Sequence, residues 1–225
     1  MDTAGYALWT LEAAEWQADE TTAAVTEYLL QRHKDVDYWK LSSVRPPMEA
    51  SDFTTTYLAL RSLGAYGTEA QQPRIDARIE VVKKWLLTTE PKETEDRVCH
   101  LRSLDYVAAG EAVIEKAAVQ LVAEQRDDGG WAQLPKLKSD AYATGSVIVA
   151  LMRAGGRSAD DPAIVRGLSF LLKTQKDDGS WHVVTRSKPF QTHYESGFPH
   201  GKDQFISATA SSWATLALLL SLSEK

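Results

Sequence analysis

A seven-residue pattern, Gln-basic-Asp-Asp-Gly-small-Trp, occurs twice in this chain, as QRDDGGW at 125–131 and QKDDGSW at 175–181. Each copy follows an apolar stretch with helical spacing. A repeat in register implies a repeated structural unit, in which each unit buries its sides against its neighbours. The physical role of the pattern follows from its residues. Asp-Asp-Gly makes a turn, and Gly supplies the left-handed conformation that ends a helix. Trp131 and Trp181 are expected to fold back under the helix end, with Gln125 and Gln175 satisfying loose backbone groups there. A weaker copy at 29–39 keeps Gln31 and Trp39 but spaces them two residues further apart.

The 225 residues, 44% of them apolar, suffice for one sizeable core, and the chain is read as a single domain over 1–225. A net charge of −6 without any Lys/Arg run argues against nucleic acid as a partner. The single cysteine, Cys99, excludes an internal disulfide. The N-terminal stretch has no basic region or cleavage pattern. The longest apolar run, 213–222, is shorter than the ~20 residues a membrane span needs. The expected setting is cytoplasmic, with peripheral membrane contact left open.

Helical spacing is the only periodicity that persists, and it predicts an all-α chain with helices near 4–16, 20–32, 51–65, 73–88, 93–107, 111–125, 139–154, 162–175 and 204–222. Asp19, Ser51, Ser139 and the Asp161-Pro162 pair stand where helix starts require them. The only strand candidate, 181–185, is short. Two kinds of helix alternate. Those at 73–88 and 162–175 are amphipathic and charged, whereas those at 51–65, 139–154 and 204–222 are nearly uncharged after their first turn. Exposed helices alternating with buried ones imply two concentric layers, as in an α/α barrel or toroid, or else an α-solenoid.

The Gln…Asp-Gly-x-Trp signature resembles the QW motif of the squalene–hopene and oxidosqualene cyclases, relatives of the protein prenyltransferase β-subunits. The stretch 197–218 is similar to their last inner-helix region. The resemblance implies an α6/α6 toroid with an apolar central cavity; with five inner and four outer helices here, the ring is open or abbreviated. It also implies an apolar, isoprenoid- or triterpenoid-type ligand. These cyclases protonate an alkene with an Asp-x-Asp-Asp stretch at the start of an inner helix. The matching segment, PMEASDFTTTYLAL, retains only Asp52 at the last Asp position, with Glu49 at the first and Ser51 in the donor's place. Asp52 or Glu49 is therefore the candidate acid for cyclisation or isomerisation. The competing expectation is a non-catalytic lipid- or protein-binding module that has lost this acid.

Tyr57, Tyr106, Tyr142, Phe205 and Trp213 are candidate aromatic walls, able to stabilise a carbocation through their π faces. The starts of the inner helices each place an acid beside small or hydroxyl residues. If these ends converge on one mouth, Asp52, Asp96, Asp140 and Asp203 surround it; ordinary capping explains the same residues. Asp96, Cys99 and His100 do not have a chelating spacing, and His193 with His200 lacks a third ligand, so neither a metal nor another cofactor is expected. The long connection 182–204 is read as a lid over the cavity mouth, with His200 and Asp203 facing inward, or as a loop pinned by its aromatics. Neither terminal helix has a polar cap: the first offers Tyr6, Leu8, Trp9, Leu11 and Trp16, the last Trp213, Leu216, Leu218, Leu219 and Leu220. They are expected either to meet and close the ring in a monomer, or to pair with another copy in a homodimer.

Overall fold

The computed structural model describes residues 2–188 and 194–223; Phe190 and His193 of the long connection lie outside them. Among the described residues there are nine α-helices and no strand beyond one isolated bridge, Arg45 to Glu49. The helices are α1 Asp2–Ala13, α2 Glu20–Gln31, α3 Asp52–Tyr66, α4 Gln72–Thr88, α5 Thr94–Tyr106, α6 Glu111–Ala123, α7 Ala141–Arg153, α8 Pro162–Thr174 and α9 Gln204–Ser223, with a short 3-10 turn, Gly201–Asp203, leading into the last. The segment 181–185 forms no strand.

Local chemistry sets the helix ends. Asp19 and Thr22 form a reciprocal capping box at α2, the Ser51 hydroxyl accepts Thr54 N–H at α3, and Asp161 caps α8 ahead of Pro162. Helix α7 is capped by Asp140 rather than Ser139. The first helix stops earlier than its apolar pattern suggests, because Glu15 takes a left-handed φ of 55° and Trp16 N–H turns back to Leu11 O.

The odd-numbered helices pack on one another in chain order, α1 on α3, α3 on α5, α5 on α7 and α7 on α9, while the even-numbered helices lie against their flanks. The nearly uncharged helices α3, α7 and α9 belong to the odd series, which also holds the charged α5; in α3 and α7 most residues are buried, including Thr54, Thr55, Thr56, Thr144 and Ser146. Close approach requires small residues. A Cβ on Gly145 of α7 would lie 2.7 Å from the backbone of Trp213 in α9, so this pair of helices meets backbone to backbone.

The repeat holds the helix ends as its chemistry suggests. Trp131 Nε1 donates to Leu121 O and Trp181 Nε1 to Leu171 O, both at 2.8 Å and both ten residues back. Their backbone N–H groups donate to hydroxyls of the next odd helix, Thr144 and Ser211, each at 3.0 Å. Gln125 Nε2 reaches Gly129 O and Ala163 O, and Gln175 Nε2 reaches Gly179 O. The weak copy preserves the Trp half: Trp39 Nε1 donates to Leu29 O at 2.9 Å and its N–H to Thr56 Oγ1 at 3.1 Å. Gln31 instead pairs with Glu27 and Lys34. Its place is taken by Arg78, which donates to the carbonyls of His33, Val36 and Tyr38 and lies 4.5 Å from the Trp39 ring.

The 22-residue stretch Gly201–Leu222 is long and apolar enough, by length and composition, to cross a membrane, with mean hydropathy 1.6 over an 18-residue window within it. This corrects the reading from the uninterrupted run: scattered Ser and Thr break the run without lowering the mean by much. One face, carrying Ile206, Ala210, Ala214 and Ala217, is buried. Phe205 and Leu222 lie on the other side and are exposed.

Candidate functional site

Three helices bring aromatic rings to one guanidinium. Arg102 of α5 lies 4.2 Å from the Tyr57 ring of α3, 5.6 Å from Trp9 of α1 and 5.5 Å from Trp213 of α9. Trp9 and Trp213 themselves stand 6.3 Å apart, so the first and last helices meet here. Arg102 is only 7% exposed. Beside it Arg61 makes a two-pronged ion pair with Glu12, at 2.7 and 2.9 Å, and also donates to the Tyr57 hydroxyl at 3.2 Å. That carboxylate satisfies Arg61, and Arg102 has no equivalent among the described residues.

Two turns toward the start of α5 lies a buried acid. Glu95 accepts the Tyr142 hydroxyl at 2.8 Å on one oxygen and the Thr54 hydroxyl at 2.9 Å on the other, with the Cys99 sulfur 3.7 Å away. Burial pushes the Glu95 carboxyl above the ordinary glutamate range, against the opposing hydrogen bonds and the field of Arg102. Burial pushes the Cys99 thiol up as well, with the Glu95 charge adding to the effect. Cys99 and His100 point apart: the thiol faces Thr54 and Glu95, while the imidazole meets Leu86 O at 2.8 Å and the edge of Phe53.

The four aspartates expected at a common mouth are each committed to backbone N–H groups. Asp52 accepts Leu41 N–H at 2.8 Å, Asp96 those of Lys92 and Glu93, Asp140 that of Ala143, and Asp203 that of Thr185. Glu49 pairs with Arg45 and accepts the Ser43 hydroxyl at 2.8 Å. Asp140 also accepts Gln133 Nε2, and burial raises its pKa. Of the expected aromatic walls, Tyr57, Tyr142 and Trp213 join the Arg102 and Glu95 groups. Tyr106 does not. It is 37% exposed, at the far end of α5, with its hydroxyl where a Cβ on Gly64 would stand. Phe205 is 59% exposed, because the buried face of α9 is taken by Ile206, Ala210 and Ala214.

The long connection does cross the helix starts, through residues other than those expected. Asp203 accepts from His182 Nε2 at 2.9 Å as well as from Thr185 N–H. Desolvation, the largest single influence on Asp203, opposes ionisation, but these hydrogen bonds outweigh it and hold the pKa low. His200 Nε2 meets the Ser180 hydroxyl at 2.8 Å and its ring stacks on His182 at 4.7 Å. Both side chains thus fasten the connection to itself. Arg186 then reaches Gln133 ahead of α7 at 2.9 Å and Glu93 ahead of α5 at 3.3 Å, and Ser187 donates to Pro46 O at 3.2 Å. Residues 181–187 are therefore a strap from the start of α9 to the loop before α3.

Residues 93–211 match the family profile described as the squalene-hopene cyclase C-terminal domain. The chain belongs to that family. A curated squalene–hopene cyclase from Bradyrhizobium diazoefficiens is 31% identical over 112 residues, a match covering 42% of this chain and 16% of that protein. The matched span therefore takes in about one sixth of that relative's length. The region matching the squalene-hopene cyclase domain contains Glu95, Cys99, Arg102, Asp140, Tyr142 and the strap; Glu49, Asp52 and Tyr57 precede it.

Glu95 and Arg102 are the interior residues that the sequence reading passes over. Glu95 stands next to Asp96 in the first turn of α5, where any acid fits a capping role. The available signal is spacing: Glu95, Cys99 and Arg102 lie at i, i+4 and i+7 and share one helix face.

Proposed function

We propose that this chain forms an abbreviated terpene-cyclase-like α/α toroid, five inner helices within four outer ones, and binds an apolar isoprenoid- or triterpenoid-type ligand against its inner wall. The observation that carries this reading is the convergence of the buried Tyr57 with the half-buried Trp9 and Trp213 from three inner helices. Membership of the squalene-hopene cyclase family supports the ligand class.

The same geometry weighs against acid-initiated cyclisation at this wall. A carbocation stacked on these rings would gain about 0.5–2 kcal/mol per ring. It would also face the fixed charge of Arg102. At about 5 Å and an effective dielectric near 20, that repulsion is about 3 kcal/mol, more than any one such stack returns. Asp52 and Glu49, the expected acids, serve in this reading to hold the loop before α3. Ligand binding without ring formation is therefore favoured over the protonation chemistry that Asp52 or Glu49 would initiate.

The test incubates the purified chain with linear C15 and C30 isoprenoids and follows both binding and products. Saturable binding without a cyclic product is expected, unchanged in Asp52→Asn. A cyclic product that disappears in Asp52→Asn overturns the binding reading. A second contact is suggested by the exposed Phe205 and Leu222 on α9: attachment to a lipid surface, tested by flotation with neutral vesicles. Protein left at the bottom of the gradient removes that contact.

A further inference from the structure

Burying a charge is costly unless it is paired, and native proteins almost always supply the partner. Arg102 departs from this rule. It is 93% buried by its 7% exposure, yet among the described residues it has three aromatic faces and neither a carboxylate nor a hydrogen-bond acceptor. The neighbouring Arg61 shows what a satisfied guanidinium looks like in the same surroundings, with two carboxylate oxygens and a phenol around it. Aromatic faces attract a cation but accept no in-plane N–H bonds, so the fork of five donors on Arg102 remains unused.

The opening is also chemically suited to a ligand. Among the described residues, Ser103 Oγ is the only fully buried side-chain nitrogen or oxygen without a partner. The unpaired guanidinium nitrogens of Arg102 are absent from that class, so they retain access to solvent. Glu95, seven positions earlier on the same helix face, lies about 10 Å away along the axis. It is engaged by Tyr142 and Thr54 and held toward its neutral form by burial, so it leaves the positive charge of Arg102 uncompensated.

We infer that Arg102 anchors an anionic head group, a carboxylate or a phosphate, carried by an apolar chain that lies on Tyr57, Trp9 and Trp213. The inference rests on the inner-wall reading above and adds the polarity of the ligand. A guanidinium grips both kinds of oxyanion through paired N–H donors. A neutral hydrocarbon would satisfy the rings and leave the cation unpaired. An amphiphile satisfies both.

The test compares three probes by calorimetry on the native chain: farnesol, farnesyl diphosphate and oleate. At least one of the two anions should bind about ten- to a hundredfold more tightly than farnesol, the range expected for charge-assisted hydrogen bonds. Oleate as the better probe identifies a carboxylate site, and farnesyl diphosphate a phosphate site. Arg102→Gln should abolish the anion's advantage over farnesol. If Arg102→Gln does not fold, phenylglyoxal labelling of the native chain decides. Arg102 should then be protected by the preferred anion and not by farnesol. Equal affinities for all three probes, an advantage that survives Arg102→Gln, or an Arg102 left unprotected by either anion overturns the anchor while leaving the inner-wall reading intact. Binding by none of the three sinks both.

Discussion

Trp9 and Trp213 face each other across the first and last helices, with ring centroids 6.3 Å apart and planes inclined at 32°. The two residues are 204 positions apart in sequence, 213 − 9, so one contact joins the ends of the helical series within a single chain. Aromatic pairs in this geometry are worth about 0.5–1.5 kcal/mol beyond the area they bury. A double-mutant cycle on Trp9→Leu and Trp213→Leu, read by urea denaturation, should return a coupling in that range. Strict additivity would mean that the ends are not energetically joined.

The Gln…Trp repeats divide into a strong half and a weak half. Trp39, Trp131 and Trp181 are all buried, and each donates to a carbonyl ten residues back. Replacing any of them with Ala should cost about 3–5 kcal/mol. Gln125→Ala should cost about 1–2 kcal/mol through two lost carbonyl partners, whereas Gln31→Ala should fall within about 0.5 kcal/mol of zero. Denaturant midpoints of the five variants check the ordering. A Gln31→Ala loss as large as that of Gln125→Ala would contradict the division of roles.

Glu95 should leave a signature in pH. Desolvation by burial raises its folded-state pKa above the ordinary value of 4.5, outweighing the hydrogen bonds from Tyr142 and Thr54. A group shifted this way contributes its full stability below 4.5, and the contribution is lost as pH rises through the folded-state value. Glu95→Gln cannot ionise. The stability difference, variant minus parent, should therefore grow in the variant's favour as pH is raised from 4.5 upward. Taking the difference between the two proteins cancels the titration of Asp140 and the other shared groups. Denaturation series on both proteins at several pH values measure it, and a flat or falling difference would show that Glu95 is ionised in the folded chain.

Much of the architecture is legible in the sequence because it rests on local chemistry. Uncharged helices such as 141–153 can only be buried, and Asp19, Ser51 and Asp161 announce helix starts through hydrogen bonds within three residues. The interior is less legible because it depends on which of two adjacent side chains turns inward. Glu95 and Asp96 look alike in the first turn of α5, and the choice is made by Tyr142 and Thr54, contributed by two other helices. Arg102 is a surface residue by type, and it lies inside because Tyr57, Trp9 and Trp213 converge from three helices. The strap shows the same limit: a crossing over the helix starts could be expected from the length of the connection. Its contacts fall to Arg186 and Ser187, since His200 and Asp203 are used within the connection itself.

The central claim is that an apolar chain lies on the inner aromatic wall, and photolabelling addresses it most directly. A benzophenone-bearing farnesol analogue, irradiated with the native chain and mapped by mass spectrometry, reports the residues within reach of the bound chain. The account predicts adducts on Tyr57, Trp9 and Trp213, suppressed by excess unlabelled farnesol. Adducts confined to the exposed side of α9, at Phe205 and Leu222, would contradict it and assign the apolar contact to the outer surface.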